Sequence, residues 1–174
     1  MLFGLIANLK RQGAEKAVWD FVNWARDHGH ETLLGEDLQG QFNHDLNFAP
    51  NETVAEQADI VVSMGGDGTL LATARLVVTR GKPVLGINLG SLGFLTQLTP
   101  TQLVPALDAI VEGKYEIENR MLLTVEVPGR SVLDSPYALN DVVIDNGPVS
   151  RLVDINLSVN GADVVSYRAI GRAS

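Results

Sequence analysis

Cysteine is absent from the 174 residues, so neither a disulfide framework nor a thiolate metal site can form, and cysteine nucleophile chemistry is excluded. Histidine is scarce, and His28, His30 and His44 lack the spacing of a zinc site. Long hydrophobic runs are missing as well. The apolar stretches are strand-sized, as in residues 59–64, and the N-terminus has neither a basic region nor a cleavage site, which points to a cytoplasmic chain without a membrane segment. Positive charge is thin: 13 Lys plus Arg stand against 21 Asp plus Glu, a net charge of −8, with no basic cluster. Duplex nucleic acid and anionic membranes need a concentrated positive patch, so neither is an expected partner. An anionic substrate would have to rely on backbone amides, a few arginines or a divalent ion.

What is present is a globular composition, 45% hydrophobic, in a chain long enough to bury about 70% of its unfolded surface in one or two domains. Residues 2–7 form an apolar run, and after Gly13 the apolar residues Ala14, Ala17, Val18, Phe21, Val22 and Ala25 recur at helical spacing. The same reading predicts strands at 31–34, 60–64 and 82–87, and helices at 53–58, 69–79 and 101–111, with a weakly patterned polar stretch at 35–50. Strands apolar on both faces alternating with helices predict an α/β fold, a parallel sheet with helices on both faces. From Tyr115 the pattern changes to β-rich stretches at 116–120, 122–127, 137–144 and 153–159, with a hairpin signal at Asn160-Gly161. Residues 1–113 are therefore expected to form an α/β nucleotide-binding domain and residues 114–174 the start of a β-rich second domain.

Three segments could carry chemistry. Gly65-Gly66-Asp67-Gly68-Thr69 lies between an expected strand and an expected helix, where glycines let a ligand approach the backbone and free N–H groups seat a phosphate. Asp67 would be repelled by that phosphate unless it holds a metal ion or takes a proton from an attacking hydroxyl, which suggests phosphoryl transfer. The alternative is a plain strand-to-helix turn with Asp67 as helix cap. A second glycine-rich turn, Gly86-Ile-Asn-Leu-Gly-Ser-Leu-Gly-Phe-Leu-Thr96, offers Asn88 and the Phe94 ring to a flat ligand, or else closes the core through its leucines. In the third, Leu139-Asn-Asp-Val-Val143, adjacent polar residues break an apolar run; in a regular strand Asn140 and Asp141 face opposite ways, so one must be buried or engaged. That pair suits ribose hydroxyls, or marks a strand edge or bulge.

In this order and spacing the three motifs resemble the NAD kinase family, over the chain up to about Ala169. The glycine turn is shared with lipid kinases and phosphofructokinases, whereas 88–96 and 138–143 are more specific to NAD kinases, and the family fold is an α/β domain followed by a β-rich one. The resemblance implies transfer of a phosphoryl group from ATP to the adenosine 2′-hydroxyl of NAD, with Mg²⁺ as the accompanying ion. It implies Asp67 as general base, with Gly65, Gly66, Gly68, Thr69, Asn88 and Phe94 about the nucleotide. Asn140 and Asp141 would hold the ribose and nicotinamide side, and Arg151 and Arg168 would lie near the nucleotide. Relatives continue after the position of Ala169 with an Asp-Gly pair and a loop that completes the site; here Ile170-Gly-Arg-Ala-Ser174 follows. Against that resemblance a shortened form is expected, one that should fold through its α/β domain, show little turnover or only bind dinucleotide, leave strands such as 153–159 without partners and form homo-oligomers.

Overall fold

The computed structural model describes residues 1–42, 45–90, 93–96, 98–129, 135–145, 152–170 and 172–173. Five parallel strands, β1 (Leu2–Ala7), β2 (Glu31–Gly35), β3 (Phe48–Ala49), β4 (Ile60–Gly65) and β5 (Val84–Asn88), form one sheet in the order β3-β2-β1-β4-β5. Four helices cover it: α1 (Ala14–Asp27), α2 (Asn51–Gln57), α3 (Asp67–Val77) and α4 (Leu103–Val111). β4 is buried at every position, the signature of a strand covered on both faces. Its alternate residues serve two cores. Ile60, Val62 and Met64 join Phe3, Leu5, Phe21 and Trp24 of β1 and α1 and Leu103 and Leu107 of α4. Val61 joins Ile6, Val54, Ala55 and Val77 on the other side, beneath α2 and α3. The period of two along the strand therefore assigns each helix pair to its face.

Chain order and spatial order part company between β1 and β4. From β1 the chain builds outward through β2 and β3, then returns to place β4 on the other side of β1 and continues to β5. The carboxyl ends of β1 and β4 thus flank a topological switch point, the place where open α/β sheets bind ligands.

Beyond α4 the strands are short and antiparallel: β6 (Leu123–Thr124) pairs with β7 (Tyr137–Ala138), and β8 (Ile144–Asp145) with β11 (Arg172–Ala173). β9 (Leu152–Val159) and β10 (Ala162–Ile170) make a hairpin whose turn residues Asn160 and Gly161 have φ of 52° and 82°, as the Asn-Gly signal requires. Two expectations are corrected here. Residues 116–120 form no strand, and the stretch expected as one strand at 137–144 is two short strands with an irregular segment between them. The expectation that 153–159 lacks a partner is also overturned, because β10 pairs along its length. On this hairpin Leu157, Val159, Val164, Val165 and Tyr167 are exposed.

Candidate functional site

The turn after β4 is built by close packing. A Cβ at Gly65 would fall inside contact distance of the Thr69 side chain, so only glycine lets the strand pass directly beneath the first turn of α3. Gly66 is the extended residue at the helix entry, and Asp67 is already the first helical residue, two positions earlier than the periodicity indicates. Behind the turn the Thr73 hydroxyl lies 3.0 Å from both Ser63 Oγ in β4 and the carbonyl oxygen of Thr69, with Ser63 and Thr73 fully buried.

The Asp67 carboxylate does not cap its own helix, as the plain-turn alternative supposed. No side-chain cap bond forms at this terminus. Instead the carboxylate reaches across to the loop after β5. Oδ1 accepts from the backbone N–H of Leu95 (3.1 Å), the N–H of Thr96 (3.0 Å) and the Thr96 hydroxyl (3.0 Å), while Oδ2 accepts from the N–H of Phe94 (2.9 Å). The Thr96 N–H, followed by the Phe94 N–H and the Thr96 hydroxyl, holds the Asp67 carboxyl below its ordinary value against the opposing effect of desolvation. The group is thus a fixed anion. A carboxylate has about four lone-pair sites, two on each oxygen, so Oδ1 is saturated and Oδ2 keeps one free.

Asn88 ends β5 opposite Gly65 and is buried. Its Nδ2 donates to the Thr96 carbonyl at 3.3 Å and its Oδ1 accepts from the Gly90 N–H at 2.9 Å, so its amide braces the loop from beneath. Thr96 is buried, and its carbonyl meets Asn88 while its N–H and hydroxyl meet Asp67. At Gly93 a Cβ would collide with the Asp67 carboxylate, which accounts for a glycine there. The Phe94 ring is 95% exposed beside this junction. It does not close the core, whereas Leu89 does.

The remaining expected residues are placed less closely. Asn140 and Asp141 lie just beyond β7, which touches α3, in the irregular segment between two strands. Both are exposed, and no regular strand forms here to turn them to opposite faces; of the two expected outcomes, burial or engagement, neither is buried, and Asn140 Nδ2 donates to Asp141 Oδ1 at 3.3 Å. Arg168, on the hairpin, gives Nε and Nη2 to the two oxygens of Asp154 at 2.6 and 3.0 Å, which raises the arginine and lowers the aspartate from their usual values. Arg151 lies outside the described residues. Local pattern assigns no role of its own to Thr96, although it closes the second glycine-rich segment, nor to Arg11 in the loop after β1.

The expected divalent ion meets no protein cage: among the described residues no three His, Asp or Glu side chains converge, and the Asp67 oxygens already accept four donors. These residues do not fit a protein-held metal site. Two hollows of the surface lie at the amino-terminal end of β2 around Glu31, Thr32 and Leu46, away from the glycine turns, and neither includes a helix N-terminus. Among the described residues no helix is long and apolar enough to cross a membrane.

A family model described as ATP-NAD kinase N-terminal domain matches residues 3–115. An NAD kinase of Geotalea daltonii is 40% identical over 153 residues, 87% of this chain and 54% of the relative. One from Caldanaerobacter subterraneus subsp. tengcongensis is 36% identical over 169 residues, 97% of this chain and 60% of the relative. The chain therefore spans little more than half the length of these relatives. Among solved structures, an NAD kinase from Archaeoglobus fulgidus in complex with ATP superposes with a TM-score of 0.70 at 28% identity, covering 98% of this chain and 59% of that one. Yeast NADH kinase complexed with NADH gives a TM-score of 0.74 at 16% identity, covering 98% and 56%, a likeness of fold.

Proposed function

The chain belongs to the NAD kinase family, and from that premise we propose that it serves phosphoryl transfer from ATP to the adenosine 2′-hydroxyl of NAD, with Asp67 as the general base. The observation that carries this reading is the position of Asp67: an ionised carboxylate at the start of α3, at the carboxyl end of β4, with one acceptor site of Oδ2 left open. In the reaction the 2′-hydroxyl hydrogen passes to Oδ2 as the hydroxyl oxygen bonds the γ-phosphorus. The bond from that phosphorus to the β–γ bridging oxygen breaks, and ADP leaves with the electron pair. The bonds from residues 94–96 keep Oδ1 in place, so the carboxylate need not reorient during the transfer.

Gly65, Gly66, Gly68 and Thr69 supply the turn on which phosphates approach, because among the described residues no acceptor meets the N–H of Asp67 or Gly68. Asn88 acts by bracing the loop, and the exposed Phe94 ring is a platform for a base. Asn140 and Asp141 offer an exposed amide and carboxylate to ribose hydroxyls beside α3. Arg151 is kept as a contact by resemblance alone, and Arg168 would have to leave Asp154 to serve the nucleotide. The division near residue 113 separates the part carrying Asp67 from the part carrying Asn140. Association of chains through the exposed apolar hairpin is part of the same reading.

A second reading has an observation of its own: four bonds to one carboxylate make Asp67 a clamp between two loops, within a fold that binds dinucleotide without turnover. NADP formation from NAD and ATP, with NAD binding measured alongside, separates the two. A general base predicts that Asp67→Asn lowers turnover by about 10²- to 10⁴-fold while NAD still binds. Turnover near that of the unsubstituted protein refutes the assignment, and NAD binding without NADP formation in the unsubstituted protein favours the clamp.

A further inference from the structure

Arg11 stands in the loop between β1 and α1, on the β1 side of the switch point. Its backbone is held there. Asn8 N–H donates to the Met64 carbonyl at 2.8 Å, Asn8 Oδ1 accepts from Lys10 N–H at 3.1 Å, and Arg11 N–H donates to the Asn8 carbonyl at 3.3 Å. The guanidinium then reaches over both glycine turns. Nη2 lies 3.6 Å from where a Cβ of Gly66 would stand, and Nη1 lies 3.6 Å from where a Cβ of Gly90 would stand.

Nothing in the described fold explains that placement. Among the described residues the Arg11 side chain makes no ion pair or hydrogen bond, although the chain carries an excess of carboxylates. Asp67, in the adjoining turn, directs both oxygens to residues 94–96 and, among the described residues, is not an ion-pair partner of Arg11. The guanidinium also lies beside Gly66, at the positive end of α3, where its charge is repelled by the helix dipole. A cation held against like charge with no anion of its own is arranged for an anion that arrives from outside. A planar fork beside a turn whose Asp67 and Gly68 N–H groups meet no acceptor among the described residues matches phosphate oxygens, which accept paired bonds from arginine.

We propose that Arg11 is a positioning residue for the polyphosphate chain of the donor, spanning the turns at Gly66 and Gly90 so that the terminal phosphate faces Asp67. The inference rests on the kinase reading above and adds to it a residue from the loop after β1 that neither glycine motif contains. It also supplies a local cation that the protein's net charge of −8 otherwise denies to a nucleoside triphosphate.

Calorimetric titration of the full chain with ATP, inorganic tripolyphosphate and NAD, for the unsubstituted protein, Arg11→Ala and Arg11→Lys, tests it. The expected result is a loss of about 10- to 100-fold in affinity for ATP and tripolyphosphate in Arg11→Ala, with NAD affinity changed by less than about twofold. Arg11→Lys should recover part of the loss, since it restores charge without the fork. Equal weakening of NAD, or unchanged ATP affinity in Arg11→Ala, overturns the proposal while leaving the kinase reading intact. Binding of NAD but neither polyphosphate ligand by the unsubstituted protein overturns it as well. If that protein binds neither NAD nor ATP, the kinase reading fails and the role of Arg11 falls with it. The side chain is exposed and unbonded, so thermal unfolding should not change; if Arg11→Ala does not fold, Arg11→Lys decides through the ratio of its ATP and NAD affinities.

Discussion

Replacing Thr73 by valine keeps the side-chain volume and deletes the one hydroxyl that meets Ser63 Oγ inside the fold. Ser63 sits in the central strand β4, covered on both faces, so no water can replace the lost partner. A buried hydroxyl left unpaired costs about 1–3 kcal/mol, and for a chain of this length each kcal/mol lowers Tm by about 2–4 °C. Ser63→Ala is not the mirror image of this change. Thr73 would still have the Thr69 carbonyl at 3.0 Å, so no buried polar group is orphaned and the cost should be smaller. In the double variant both hydroxyls are gone, and stability should recover toward that of Ser63→Ala alone, because two matched deletions leave nothing unsatisfied. Urea and thermal unfolding followed by circular dichroism give the three values. A Ser63→Ala cost equal to or above that of Thr73→Val, or a double variant no more stable than Thr73→Val, refutes the account of the contact that ties α3 to β4 behind Asp67.

The loop contacts of Asp67 give a pH expectation. Its carboxyl is lowered in the folded protein, so its contribution to stability is present above the ordinary aspartate range near 4 and is lost only as pH falls through the lower folded value. A carbon-detected NMR titration should therefore find Asp67 ionised below that range, and Thr96→Val, which removes one donor, should move the midpoint up while Thr96→Ser does not. Gly93→Ala drives a methyl into the Asp67 carboxylate, so NADP formation should fall as steeply as in Asp67→Asn, without loss of the sheet by circular dichroism. Phe94→Ala should weaken nucleotide binding about tenfold at unchanged Tm, because the ring is exposed and among the described residues only its backbone N–H forms a hydrogen bond; an unchanged affinity removes the ring from the site. Light scattering should show association that a Val164→Lys substitution on the exposed hairpin reverses, and a monodisperse monomer before substitution would count against it.

What the sequence disclosed follows the range of the forces involved. β4 was legible because a strand buried on both faces must be apolar throughout, and α1 because one buried stripe imposes a helical period. The periodicity starts α3 two residues late because glycine and aspartate look like a turn by propensity; here Gly68 is helical all the same, at the exposed start of a helix that packs against β4. The β-rich region was less legible: β8 and β11 are two-residue strands separated by 26 intervening positions, so neither carries a periodic signal of its own. The site divides in the same way. Gly65 to Thr69 is local and could be read directly, but the four donors on Asp67 come from 27 to 29 residues downstream and set its charge state from the loop after β5. Arg11 is more distant still in sequence, and its place over Gly66 and Gly90 depends on β4 inserting beside β1, an order of strands that no local pattern encodes. A residue contributed by the far side of a switch point becomes visible only once the sheet is assembled, which is why the candidate base is found in a motif and the candidate phosphate-binding arginine in a geometry.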